Sequence, residues 1–133
     1  MRAAAEPEQA CLLPELAIPP DTPARFAVMG KLRDPARVFV SAGRVLLEVV
    51  ITQHLQQHHD ARHVLAIWVY PNLGDLVDTE RAARALAARM PSHTEVVATG
   101  SALYPGSFHG MPVNLLDHVA GIAPVAQLLP TLN

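Results

Sequence analysis

The sequence predicts an all-β domain of five strands with one helix between the third and the fourth. Three observations carry that prediction. Most apolar segments between residues 25 and 119 alternate apolar and polar side chains, the period of strands whose two faces meet different surroundings. Only ERAARALAARM brings its apolar residues round at helical spacing. Turn residues, Asp34-Pro35, Ser41-Ala42-Gly43 and Gly106 to Gly110, punctuate these segments. With 133 residues, half of them apolar, the chain has the size of one domain that can bury a core.

Residues 1–24 hold Pro7, Pro14, Pro19, Pro20 and Pro23 without a sustained period, which predicts an extended or disordered arm. The domain is placed at 25–128, with 129–133 a short C-terminal end. Its first strand is RFAVMGKLR, with Phe26 and Val28 on one side and Ala27, Met29 and Lys31 on the other. The second, RVLLEVVITQH, is rich in β-branched residues and puts Val45, Leu47, Val49 and Ile51 on one parity, against Arg44, Glu48, Thr52 and His54. LQQHHDAR forms a hairpin loop, and HVLAIWVY returns as the third strand. Asp78 or Thr79 caps the helix, Ala82, Ala83, Leu86 and Met90 share its buried face, and Pro91 ends it. TEVVATGSALY is the fourth strand, GSFHGM a turn and PVNLLDHV the fifth strand. Five strands with a helix after the third is the layout of the oligonucleotide-binding (OB) fold, a small Greek-key barrel.

Composition narrows the function. No run of eighteen apolar residues occurs, and acids and prolines stand where a signal peptide needs an apolar block. The expectation is a soluble, cytoplasmic protein that does not enter a membrane. Cys11 is the single cysteine, so the chain has neither an internal disulfide nor a cysteine-built zinc site. A net charge of −2 is weak grounds for a nucleic-acid partner. Yet Arg25, Lys31, Arg33, Arg37, Arg44 and Arg62 cluster between residues 25 and 64 against Asp34, Glu48 and Asp60, so an acidic chain still has a basic region.

Trp68, the only tryptophan, and Tyr70 stand two positions apart in the third strand. If Leu65, Ile67 and Val69 line the barrel, Trp68 and Tyr70 point outward and require a covering. Unpaired bases stacking on the rings would supply one, and another subunit the other. Arg25, Lys31, Arg33, Arg37 and Arg44 flank that surface and would track phosphates; Tyr104 extends the aromatic area.

Histidines crowd into QHLQQHHDARH as His54, His58, His59 and His63. On a helix they would form i, i+4 pairs able to hold a metal. The flanking strands demand a turn instead, so the expected metal content is none. Tyr-Pro-Gly-Ser-Phe resembles the opening motif of nucleotidylyltransferases, but the second histidine signature and its helix do not follow. Neither a phosphate-binding glycine loop nor an activated-nucleophile set occurs. The chain is expected to be no enzyme and to need no cofactor.

GKLRDPARVFVSAGRVLLEVVIT resembles the N-terminal signature of bacterial single-stranded DNA-binding proteins in Gly30-Lys31-Leu32, Asp34-Pro35 and Gly43. IWVYPNLGDL is similar to that family's third strand with its terminal aromatic. ERAARALAARM falls where the family has its helix, and EVVATGSAL resembles the fourth strand through Val96, Gly100 and Leu103 at slightly shifted spacing. The resemblance covers roughly residues 25–125. It implies an OB fold that binds single-stranded DNA without chemistry, in replication, replication restart or recombination, as a dimer or tetramer, with other replication proteins as possible partners. Tyr70 matches the third-strand aromatic, and Tyr104 matches a hairpin aromatic loosely. The family's acidic tail with its Pro-Phe tip has no counterpart in LLPTLN, and tail-less relatives such as primosomal replication protein N are nearer in length.

Overall fold

The computed structural model describes residues 26–54 and 61–128. The arm at 1–24, Arg25, His58, His59 and the end at 129–133 lie outside the described residues. Eight strands form one sheet: β1 (Phe26–Leu32), β2 (Arg37–Ser41), β3 (Arg44–His54), β4 (Ala61–Val69), β5 (Glu95–Gly100), β6 (Ala102–Phe108), β7 (Met111–Asp117) and β8 (Gly121–Pro124). Helix α1 (Leu76–Ala88) lies between β4 and β5, and a helical turn, α2 (Val125–Leu128), follows β8. Among the described residues the fold is therefore mostly β with one long helix, as expected, but with eight strands where five were predicted.

One extra strand, β6, comes from a break in the predicted fourth strand and runs into the predicted turn at 106–111, while β2 and β8 lie outside the predicted strands. Asp34-Pro35 separates β1 from β2, Ser101 separates β5 from β6, and His118 to Ala120 separate β7 from β8. Proline lacks the N–H that would continue a ladder, which accounts for the first break. The segment at 37–41, which falls between the first and second predicted strands, pairs with β3 from Arg37↔Glu48 to Ser41↔Arg44. Its two-residue turn has Ala42 at φ 54° and Gly43 at φ 73°, the pair of positive angles that a tight hairpin favours.

Neighbouring strands run in the order β6-β7-β4-β3-β1-β5-β8, with β2 also on β3, and among the described residues no ladder joins the two ends. All pairings are antiparallel except β4 with β7, where Leu65 lies beside Leu115. The sheet nevertheless folds over one core. Val28, Leu32, Leu47, Val49, Ile51, Val64, Ala66, Val96, Ala98, Leu103, Leu116 and Ile122, drawn from seven strands, form one buried cluster with Met90. The parity predicted for the second strand holds on β3, where Val45, Leu47, Val49 and Ile51 are buried.

β1 makes this curvature. It pairs with β5 from Phe26↔Gly100 to Lys31↔Glu95 and with β3 at Lys31↔Thr52 and Leu32↔Ile51. At Gly30, a Cβ would stand 2.4 Å from the carbonyl oxygen of Thr52 and 2.8 Å from a methyl of Ile51. Only glycine lets β1 approach β3 this closely.

The helix begins earlier than Asp78 or Thr79. Asp75 is its N-cap, with Oδ1 accepting from the Asp78 N–H at 2.7 Å. Thr79 is instead buried, its hydroxyl accepting from the Leu73 N–H at 2.9 Å and donating to the Asp75 carbonyl at 2.7 Å. Ala83 and Met90 are buried, and Leu86 packs against the same core. Among the described residues no helix is long and apolar enough to cross a membrane.

Gly30→Ala is expected to lower the unfolding free energy by about 2 kcal/mol or more, because the clash is with backbone. Gly43→Ala meets nothing within 4 Å and should cost only the positive-φ strain, about 1 kcal/mol. Urea denaturation of the two variants measures the difference; equal losses would contradict the close-approach account.

Candidate nucleic-acid interface

Residues directly opposed across a ladder share a face, so the registers sort the side chains of β3. Its inner face enters the core. Its outer face carries Arg44, Leu46, Glu48, Val50 and Thr52 in succession. Arg37 lies opposite Glu48, Phe39 opposite Leu46, and Lys31 opposite Thr52. On the other side Val69, Ile67 and Leu65 lie opposite Leu46, Glu48 and Val50. Beyond β4, Leu65 neighbours Leu115, and Leu115 faces Tyr104.

The outer face thus gathers Arg44, Arg37 and Lys31 in a row, each about four β3 residues from the next, or roughly 13 Å at the rise of an extended strand. Aromatic and aliphatic groups lie beside them. Tyr104 is 38 % exposed, Ile67 39 % and Val69 47 %. Phe39 is half-buried, with the Arg37 guanidinium carbon 5.4 Å from its ring centroid, within cation–π range. Arg37 Nε also pairs with Glu48 Oε1 at 3.2 Å. The β6–β7 hairpin turns at His109 and Gly110, both at positive φ. Its Phe108 packs against the small cluster of Val50, Leu65 and Val113 on this same face.

The expectation for Trp68 is overturned. Val64 and Ala66, on its parity, are fully buried, whereas Ile67 and Val69, assigned to the interior, are exposed. Trp68 lies opposite Leu47 and packs, half-buried, against the main core. Tyr70 continues that parity past the strand end, its N–H donating to the Val45 carbonyl at 2.8 Å and its ring 5.0 Å from the indole. Both parities of β4 are apolar, so alternation could not tell which one entered the core.

Of the other predicted site residues, Arg33 is exposed just past β1, its N–H donating to the Val50 carbonyl at 3.0 Å, which places it between Lys31 and Arg37 on the outer face, and it pairs with Asp34 at 3.3 Å. Arg44 stands at the β2–β3 turn and lines a cavity of about 300 Å³ with Tyr70, Leu76 and Thr79. The structure brings Lys31, Arg33, Arg37, Arg44 and Tyr104 onto one face and leaves Trp68 and Tyr70 off it. Phe39 was not among the predicted site residues because it lies between the first and second predicted strands; the β-prone run Val38-Phe39-Val40 before the Gly43 turn was the available signal. No group of three or more metal-binding side chains occurs among the described residues. His63 is engaged with Thr52, Nδ1 to Oγ1 at 3.1 Å.

Trp68→Ala is expected to destabilise the fold by roughly 2 kcal/mol, less than for a fully buried tryptophan. Tyr104→Ala should stay within about 1 kcal/mol. Denaturant midpoints check both, and the reverse ranking would restore the outward assignment of Trp68. Comparison with known proteins gives no match to a protein-family model and none to a curated protein.

Proposed function

We propose that this protein binds single-stranded DNA without catalysing a reaction, through the outer face of β3 and β4. Its fold is proposed to be an oligonucleotide-binding barrel whose five runs of chain are β1–β2, β3, β4, β5–β6 and β7–β8. Three features support that reading of the fold: one core shared by seven strands, the parallel β4–β7 pairing, and the helix between β4 and β5. In barrels of this type the second and third runs and the flanking hairpin loops form the binding face, which here means β3, β4 and the turns at Ala42-Gly43 and His109-Gly110.

One observation carries the functional reading: Arg44, Arg37 and Lys31 line the face that also presents Tyr104 and Phe39. Single strands bind where cations follow the backbone and rings accept successive bases, each stack being worth about 1–3 kcal/mol. The biological setting proposed is replication, replication restart or recombination in the cytoplasm, with the protein acting as a homodimer or tetramer.

A second reading has its own support. Ile67, Val69, Leu73, Leu76 and Val77 are exposed, Val77 by 64 %, and such aliphatics suit burial by a second copy or another replication protein. In that case the chain is a protein-interaction module.

Titration of a mixed-sequence oligonucleotide separates the two. Three phosphate contacts predict that log K falls with log salt at a slope of about −2. Tyr104→Ala should weaken binding by roughly 1–3 kcal/mol, while Trp68 fluorescence changes little. Sedimentation that shows self-association with no oligonucleotide binding at low salt would favour the interaction module instead.

A further inference from the structure

The proposed DNA face has an odd member. Glu48 sits in the middle of the cation row with its side chain only 9 % exposed, an unusual position for a carboxylate on a surface that must approach phosphates. Beside it lies a cavity of about 200 Å³ whose apolar walls are Pro35, Val50 and Phe108 and whose polar groups include Arg37 and Glu48. That volume falls below the roughly 300–1,000 Å³ of sites for drug-sized ligands. It suits one flat heterocycle better than a whole nucleotide.

The walls have the chemistry of a base subsite. The Phe108 ring offers a stacking plane, and the His109 ring lies edge-on to it at 4.2 Å. Arg37 Nε holds Glu48 Oε1 at 3.2 Å, which orients the carboxylate. A carboxylate only accepts hydrogen bonds, so it favours a base edge that donates. An exocyclic amino group donates; a carbonyl in the same place meets the carboxylate with like partial charge. Asp34 stands at the cavity rim, its charge paired with Arg33 at 3.3 Å.

We infer that this cavity is a base-selective subsite in which Glu48 accepts a hydrogen bond from the exocyclic amino group of a stacked base, against bases that present a carbonyl there. This inference rests on the single-stranded DNA reading and adds a preference to it. Glu48 is then the specificity-determining residue, Phe108 the stacking wall, and Arg37 both a phosphate-side cation and the group that positions Glu48. Deoxycytidine and deoxyuridine oligomers separate the effect well. Their bases differ at N3 and in the group on C4, so stacking and phosphate terms largely cancel in the ratio of affinities.

The experiment is fluorescence anisotropy with labelled oligo(dC) and oligo(dU) of equal length, at neutral pH and one low salt concentration. The native protein should bind oligo(dC) about tenfold more tightly, the size expected of one good base-edge contact. Glu48→Gln, whose amide both donates and accepts, should bring the ratio to near one while total binding persists. Phe108→Ala, which leaves the carboxylate in place but removes the wall, should weaken oligo(dC) more than oligo(dU), and it serves as the check if Glu48→Gln fails to fold. Equal binding of the two oligomers by the native protein, or a ratio kept in Glu48→Gln, would overturn the subsite and leave the DNA reading standing. Failure to bind either oligomer would overturn both.

Discussion

The structure depends on the double pairing of β1. A strand in a flat sheet has one neighbour on each side along most of its length; here β1 gives most of its length to β5 and only its last two residues to β3. Lys31 is the hinge position, opposed to Glu95 on one strand and Thr52 on the other. The missing side chain at Gly30 permits the contact, since any Cβ would be driven into the Thr52 carbonyl. Because the ladder bends there, side chains from β4 and β7 at one end meet those from β5 and β8 at the other in one core. A flatter ladder would leave Val28 and Ile51 with no partners across the interior.

That bend also decides what is left outside. Once Val45, Leu47, Val49 and Ile51 are committed to the core, the alternate positions of β3 become the exterior. The two turns of the β2 and β6–β7 hairpins then fold toward that exterior from opposite sides. One contributes Arg37, Phe39 and Arg44, and the other contributes Tyr104 and Phe108. The resulting surface is chemically mixed: cations in a row, rings and aliphatics beside them, and one nearly buried carboxylate at the centre. A surface meant only for phosphates would not hold that carboxylate, and one meant only for a protein core would not hold three cations. A single strand, with charged backbone and flat bases carrying hydrogen-bond edges, matches the mixture.

The helix has a smaller part. Its cap at Asp75 and the buried hydroxyl of Thr79 fix the loop that follows β4, and the Met90 carbonyl accepts from the Ala36 N–H at 3.0 Å at the other end. It therefore ties the β1–β2 connection to the β4–β5 connection. Its surface charges pair within the helix itself, Arg84 with Glu80 at 2.7 Å and Arg81 with Asp78 at 3.4 Å, so it adds little net positive charge to the proposed face.

The sequence by itself determined the β character of the chain, the helix near residue 80 and the buried parity of β3, because β3 has one almost wholly apolar and one largely polar parity. It also determined that Lys31, Arg37 and Arg44 lie close in the chain, though not that they would align. Tertiary structure decided the rest. On β4 both parities are apolar, so the choice between Trp68 and Ile67 for the interior rested on which shapes fit the space left by β3, β1 and β5. The split of the predicted fourth strand into β5 and β6, the added strand β8 beyond the predicted fifth, and the recruitment of residues 37–41 as β2 depended on partners far away in the chain. Glu48 makes the point most directly: alternation put it on the exterior, and it is nearly buried there between its ladder neighbours Arg37 and Ile67, which only strand pairing brings beside it.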